Sequence, residues 1–559
     1  MFSNIYPWPL HRLSLGLALA LTHSVWAQQM PDAGRSLQEQ QTVPQQPHLP
    51  KTHVQLPPAV ASIKMAGGVQ VHIDSVEFSG HTLFDDRVLQ TVVEPLGQQT
   101  FDLAGLQTLA EKIEVFYRQS GYPFTRAFLP QQELTDGKLR IQVLEGRYGE
   151  IRVSGDTDFA VQAQAFLSPL QPGQLIHSGQ LEHRVGLLSD LPGWVVSTVM
   201  RPGQAEGSGD LDVRAERGRR FSGEVGLDNH GNRFTGENGV RTHLQWHSPF
   251  LLGDQATLQG VYTDEGLWFG NLDYSVPLGS SGLRGNVAYA KNQYQLAKDF
   301  ESLNATGSAQ VTTVGMSYPL WRSPHANWTF AASYQRKNLN DRRAAVGLDE
   351  RKSVDAWPLA LQFDVRDASG GGLIYGSVAL TPGQLHLDGD LESADQASGR
   401  EAHGHFNKLN LNIARLQTTV WDGFTLWGRL TAQWSDRNLD SSEKMSLGGS
   451  NGVRAYPVGE GLGDQGWLAQ IEVRYALGAC SPFAFYDAGR VQFNAQTASM
   501  TPAVTDNHRS LAGAGLGARY REGPWEGELA VAWRALGGAP QADAVRGDPR
   551  VWFKLGYRF

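Results

Sequence analysis

A single cysteine, Cys480, among 559 residues leaves nothing from which to build a disulfide framework or a thiolate metal site. Past the N-terminus there is no run of about 18 apolar residues, the length a membrane-crossing helix needs, so a polytopic helical membrane protein is excluded. Positive charge is also short. Lys and Arg number 48 against 56 Asp and Glu, a formal charge of −8 with no basic tract, which argues against nucleic acid as a partner. No His-Glu-x-x-His zinc motif occurs, and the glycines at 370–372 lack the Lys-Ser/Thr of a phosphate loop. The one close histidine pair in the second half, His403 and His405, reads as solvated loop rather than as metal ligands. No enzyme and no cofactor is expected. What the chain does have is 63 glycines, about one aromatic residue in ten and little charge, a composition suited to many strands joined by turns.

The N-terminus sets the compartment. Arg12 precedes the apolar stretch Leu13–Leu21, and Val25-Trp26-Ala27 fits a small-residue cleavage site, so residues 1–27 read as a secretory signal peptide, with an uncleaved anchor as the alternative. From Gln28 to about Gly68 the chain turns Gln- and Pro-rich and cannot support a packed core. Within it, residues 32–41 carry good helix formers behind Asp32, a suitable N-cap, and Pro44 to Pro58 reads as an extended linker. A short helix on a tether and a wholly disordered tether both fit.

Two α/β modules of β-α-α-β-β order follow, over 69–146 and 147–217. In the first, Val71 to Phe78 alternates as a strand, residues 85–94 suit a short helix, and Leu103, Leu106, Leu109, Ile113, Phe116 and Tyr117 share a helix face. Strands Phe124–Leu129 and Leu139–Leu144 complete it. The second repeats the order with Ile151–Val153, helices at about 159–168 and Gln180–Leu188, and strands Trp194–Met200 and Leu211–Ala215.

After Gly218 the helical period disappears. Phe221–Asp228, Val240–His247, Phe424–Trp434 and Trp525–Trp533 each place apolar residues on one face and Arg, Glu, Gln or His on the other, the pattern of a strand between lipid and water. About sixteen such segments of some ten residues fit between 218 and 559, an even number, as a closed bacterial membrane barrel requires. Tyr274, Trp268, Trp321, Trp357, Trp421, Trp467 and Trp552 are candidates for interfacial aromatic girdles. The chain ends on Val551, Phe553, Leu555, Tyr557 and Phe559 along one face, with Lys554 and Arg558 on the other.

The longest connection of this half, about 436–466, holds Leu447-Gly448-Gly449-Ser450-Asn451-Gly452-Val453-Arg454-Ala455-Tyr456-Pro457. Small residues around one Arg suit a tight turn that buries it, and a buried guanidinium needs a carboxylate because an unpaired one costs several kcal/mol. Asp487, within the apolar strand Phe483–Arg490, is the candidate partner. On a membrane strand it must face the lumen, which turns Phe485 inward and Tyr486 outward.

Two such modules resemble polypeptide-transport-associated (POTRA) domains. Val453-Arg454-Ala455-Tyr456, the strand motif Phe485-Tyr486-Asp487 with Gly489, and the terminal Phe559 resemble the two-partner secretion transporters, the TpsB-type haemolysin secretion/activation proteins. The Asp32-Ala33-Gly34 segment with its Gln-rich helix is similar to their plug helix. The resemblance implies a transmembrane barrel of sixteen antiparallel strands with an inward-folding loop, in the bacterial outer membrane with its POTRA domains in the periplasm. It implies that Arg454 pairs with Asp487. It also implies an activity: binding the secretion domain of an unfolded exoprotein and exporting it through the pore. Partners would be that exoprotein (an adhesin, cytolysin, contact-dependent toxin or haem-binding protein), the lipid bilayer and the outer-membrane barrel assembly machinery. The loop departs from the common pattern at Ala455, where Gly is usual. An outer-membrane assembly factor, or a passive porin, is the alternative reading, and Arg454 as a purely structural ion pair is the alternative for the site.

Overall fold

The structure, a computed structural model, describes residues 30–40, 54–55, 67, 69–94, 100–134, 137–367, 370–543 and 547–559. The expected signal peptide and most of the Pro-rich linker lie outside these residues. The first described element is a helix, α1 (Ala33–Glu39), whose N-cap Asp32 accepts a hydrogen bond from the Arg35 amide at 2.8 Å. A two-residue strand from the linker, β1 (Val54–Gln55), follows.

The first module contains β2 (Val71–His72), β3 (Ser75–Ser79), α2 (Asp86–Val93), β4 (Thr100–Phe101), α3 (Leu103–Gln119), β5 (Arg126–Phe128) and β6 (Lys138–Leu144). The strand expected over 71–78 is broken. The amides of Asp74 and Ser75 both donate to the Gly137 carbonyl, so β2 turns away to pair with β4 while β3 joins the sheet beside β6. One face of α3 closes over that sheet, burying Leu106, Leu109, Ile113 and Tyr117 against Leu139 and Ile141. Each such side chain contributes about 1.5–3 kcal/mol. Beside this core Glu145 accepts from the Thr82 and Leu83 amides (2.8 and 2.9 Å), from the Thr82 hydroxyl and from Tyr117 (3.0 Å).

The second module contains β7 (Arg147–Gly155), α4 (Thr157–Leu167), α5 (Ser178–Ser189), β8 (Trp194–Pro202) and β9 (Ser208–Arg217). Its sheet runs β1-β8-β9-β7, with β1 contributed by the linker. It is fastened to one end of the barrel. Arg322, beside a short turn, donates twice to Asp190 (2.6 and 2.7 Å), and Trp194 donates to Ser248 at 3.2 Å.

Sixteen antiparallel staves form the closed barrel. One of them is interrupted: Leu348–Ala356 and Leu359–Arg366 both lie between the strands Ala326–Arg343 and Gly372–Leu387, with Trp357-Pro358 breaking the ladder where Pro has no amide to give. The ring closes where Glu224 to Asp228 pair with Arg558 to Lys554. Val225, Leu227, Leu555 and Tyr557 point out to lipid at that seam, as the alternation required. Strand lengths run from 8 to 18 residues. The longest exceed the roughly ten residues needed to cross a bilayer and project beyond it on the side opposite the modules. The last expected girdle residue is a correction. Trp552 is buried at 3 % exposure, because it has the parity of Lys554 and Arg558 and so faces the lumen. The other girdle tryptophans named above are exposed. His405 opens the strand Gly404–Thr418 rather than lying in a loop.

Candidate functional site

The connection between the strands Phe424–Ser435 and Gln465–Tyr475 enters the barrel instead of lying over it. Met445–Ser446 pairs with Leu462–Gly463 to bring the loop in and out side by side. At the tip, the Val453 amide donates to Leu447 (2.7 Å), Tyr456 to Val453 (3.0 Å) and Gly449 to Tyr456 (3.1 Å). The turn needs Gly449 at φ 110°, a backbone conformation closed to other residues at little cost. Residues 448–452 spell Gly-x-Ser-x-Gly, yet they form this loop tip and not the strand-to-helix elbow a nucleophilic serine requires.

This turn aims Arg454 at the wall. Its Nε and Nη2 donate to the two oxygens of Asp487 (2.8 and 2.7 Å), its amide donates to Asp487 Oδ2 (3.1 Å), and Nη1 donates to Glu472 (2.7 Å). Arg454, Asp487 and Glu472 are 4, 0 and 2 % exposed. The guanidinium lies 3.6 Å from the ring centre of Phe485, which the inward parity placed there, and Trp552 donates to the Arg454 carbonyl at 2.7 Å. Val453 and Ala455 are buried, and the Tyr456 hydroxyl donates to the carbonyls of Leu536 and Gly538 (2.8 and 3.0 Å). Tyr486 faces lipid. Gly489 leaves the space that Leu447 fills. Phe559 lies apart from this cluster, exchanging backbone hydrogen bonds with Gly223 at the barrel seam.

Several participants escaped sequence reasoning. Glu472 also receives Arg474 (2.7 Å) and Arg519 (2.9 Å), so its charge is shared among three guanidinium groups. Gly513, Gly515 and Gly517 lie on one face of the strand His508–Glu522, where a Cβ would collide with Ala455, Phe485 and Phe483 respectively. Three glycines two residues apart in a strand were a readable sign of close approach. A second set of ties holds the base of the loop: Glu443 to Lys337 and Lys408 (2.5 Å each), Asp440 to Lys352 (2.6 Å) and Glu460 to Arg509 (2.7 Å).

Helix α1 occupies part of the lumen that the loop leaves open. The Ala33 amide donates to Asp341 (2.9 Å), Ser441 and Lys352 donate to Asp32 (2.6 and 3.3 Å), and Asn292 donates to Ser36 (3.1 Å). Leu37 packs among Phe234, Leu339 and neighbours. Gly34 is pressed against Ser441 and Ser442 of the loop, leaving no room for a Cβ. Between helix and loop remains a cavity of about 380 Å³ lined by Arg35, Glu39, Lys337, Lys408 and Glu443 among others.

Residues 207–520 match the family model of haemolysin secretion/activation proteins ShlB/FhaC/HecB, and residues 71–146 match the ShlB-type POTRA domain. The heme/hemopexin transporter protein HuxB of Haemophilus influenzae is 24 % identical over 521 residues, covering 90 % of this chain and 91 % of its own. The outer membrane transporter CdiB of Dickeya dadantii is 24 % identical over 446 residues, 77 % of this chain and 78 % of its own. The solved structure of CdiB from Escherichia coli superimposes with a TM-score of 0.70 at 22 % identity, covering 90 % of this chain and 93 % of that one.

Proposed function

The chain belongs to the haemolysin secretion/activation protein family ShlB/FhaC/HecB, and from that membership we propose how its parts divide the export of a partner protein. It is an outer-membrane transporter of two-partner secretion and not an enzyme. In our reading the POTRA modules receive the unfolded exoprotein, and the barrel passes it outward in extended form. Arg454, held by Asp487, keeps the loop inside the pore until cargo arrives. The observation that supports this most is the doubly filled lumen: a helix tied to the wall and a loop tied by a buried ion cluster are the features of a closed gate. The relative named as a heme/hemopexin transporter favours a haem-binding exoprotein as cargo over an adhesin, cytolysin or contact-dependent toxin. Phe559 and the strand it closes are the signature read by the barrel assembly machinery. The test compares proteins in the medium of cells with and without the transporter gene. A large exoprotein that reaches the medium only with the transporter identifies the partner, and an unchanged medium refutes the reading. Separately, Phe559→Ala should lower transporter in the outer membrane, and an unchanged level would remove the assembly assignment.

A further inference from the structure

The barrel wall is not of even height, and its tallest part is hollowed on the outside. The strands Ala305–Arg322 and Ala326–Arg343, of 18 residues each, rise beyond the bilayer beside Leu348–Ala356 and Gly372–Leu387. Along Ala326–Arg343 the lipid-facing parity runs through Phe330 and Tyr334 and continues as Arg336, Asn338 and Asn340. Tyr334 packs on Trp357 with ring centres 5.6 Å apart, an aromatic pair suited to the upper edge of the hydrocarbon. Above it the outward residues form one aligned block: Gln310 beside Asn338, Asn338 beside Ser353, Ser308 beside Asn340, and Ser353 beside His386. They line a cavity of about 450 Å³. Lower on the same face Val314 and Met316 are more than half exposed, whereas Ser308, Gln310, Asn340, Ser353 and His386 are half-buried.

The polar side chains of this hollow are unspent. Among the described residues no hydrogen bond joins the amides of Gln310, Asn338 and Asn340, or the hydroxyls of Ser308 and Ser353, to another protein group. On the inner face of the barrel such amides are occupied: Asn292 donates to Ser36, Asn410 to Gln433 and Gln470 to the Gly452 carbonyl. Arg351, its side chain 71 % exposed and paired with Asp349, stands at the upper rim with Asp388. On the membrane side Asp355 accepts from Tyr334 and lies 3.4 Å from His386. Grouped amides and hydroxyls with a guanidinium at their edge suit a hydroxyl-rich ligand that carries phosphate. Height selects its source. Asn338 and Asn340 lie roughly 14–20 Å beyond Tyr334 along the strand, which is about 10–16 Å above it at the usual tilt. Phospholipid heads reach only about 5–8 Å beyond the hydrocarbon, and sugars reach further. We propose that this hollow binds the phosphorylated saccharide head of an outer-leaflet glycolipid. The ligand fixes in the leaflet the same stretch of wall that holds α1 on its inner face.

The test uses the full chain purified in detergent, with binding titrated by native mass spectrometry. The probe is a rough lipopolysaccharide, whose phosphorylated glucosamine disaccharide carries a short core of sugars; phosphatidylglycerol and inorganic phosphate are the comparisons. The lipopolysaccharide should bind at least tenfold more tightly than phosphatidylglycerol. Asn338→Leu with Asn340→Leu should weaken it at least tenfold, while Gln293→Leu, outward on the strand Arg284–Gln295 but outside the hollow, should leave it unchanged. Arg351→Gln, at an exposed side chain, should weaken it at least threefold, and this variant decides the matter if the double variant loses its heat-modifiable mobility. Lipopolysaccharide that binds these variants as tightly as the parent overturns the proposal. Phosphatidylglycerol that binds as tightly and suffers the same losses makes this a phospholipid site, and inorganic phosphate that binds as tightly makes it a free-anion site. Dimers broken by the same variants give the face to a second copy of the chain. Each of these three results also overturns the proposal.

Discussion

Replacing Arg454 by Ala should disturb the gate more than replacing its partner Asp487. Removing Arg454 strips Asp487, fully buried, of its two guanidinium donors and leaves it the 454 amide at 3.1 Å and a distant Gln470 at 3.5 Å. Glu472 suffers less, since Arg474 and Arg519 remain on it. Orphaning one buried carboxylate in this way costs about 3–5 kcal/mol. Replacing Asp487 by Ala removes three hydrogen bonds but leaves Arg454 bound to Glu472 and stacked on Phe485, so its charge keeps a partner and the cost falls toward the lower end of that range, about 3 kcal/mol. The double variant removes the orphan along with its partner and should cost less than the sum of the singles by at least about 1 kcal/mol. At about 1.4 kcal/mol per tenfold, loss of Arg454 shifts the loop between its inward and released positions by roughly two to three and a half decades. The measurement is labelling of a cysteine at Ser450 in outer membranes, with Cys480→Ser, alongside exported protein per folded transporter. Heat-modifiable mobility scores folding, because no lipid-facing residue is changed. Equal and additive effects of Arg454→Ala and Asp487→Ala would falsify the orphaned-carboxylate account. Failure of all three variants to fold would show that the cluster serves assembly only.

Deleting residues 28–41 should raise ion conductance in planar bilayers, since α1 fills lumen that the loop does not; unchanged conductance would remove its plug role. Gly513→Val puts a side chain where the Ala455 methyl sits and should expose the loop to the same label while Gly513→Ala does so less, whereas equal labelling in both would mean the loop tip has slack. Burial pushes the Glu145 carboxyl up, but the hydrogen bonds from Thr82 and Leu83 outweigh it and hold the folded-state pKa below the usual range. Its stabilisation is therefore complete above the unfolded pKa and is lost as pH falls through the folded value, below about pH 4. Hydrogen exchange over residues 69–146 in the full chain should accelerate with acidification in that window, and Glu145→Gln should flatten the response; an unaltered pH profile would count against it.

Strand parity made most of the barrel readable. Phe221–Asp228 has the bounds its alternation gave, because a stave between lipid and water must alternate without interruption. The Arg454–Asp487 contact was reachable for a related reason, since a charge in an apolar strand has only the lumen to face. Parity alone does not distinguish a lumenal acid lining water from one gripping a loop, so Glu472 looked ordinary, and Glu443 and Glu460 lie on the loop, where no alternation marks an acid that reaches the wall. Trp552 went astray because its residue type was weighed above its parity. The pairing of β1 with β8 had no signal in the linker, where Pro-rich composition speaks only of extension and edge pairing is decided by what lies alongside.

The two fastenings inside the pore also differ in how far apart their partners lie along the chain. Arg454 reaches Glu472 and Asp487 across 18 and 33 residues, within the loop and the two staves that follow it. Asp32 reaches Lys352 across 320 residues, and Ala33 reaches Asp341 across 308. Contacts between near neighbours in sequence close over short loops and form early, while distant ones wait for the intervening chain to be ordered. During biogenesis the loop can therefore be latched by a few C-terminal strands before the ring is complete, and the helix is the last part to arrive.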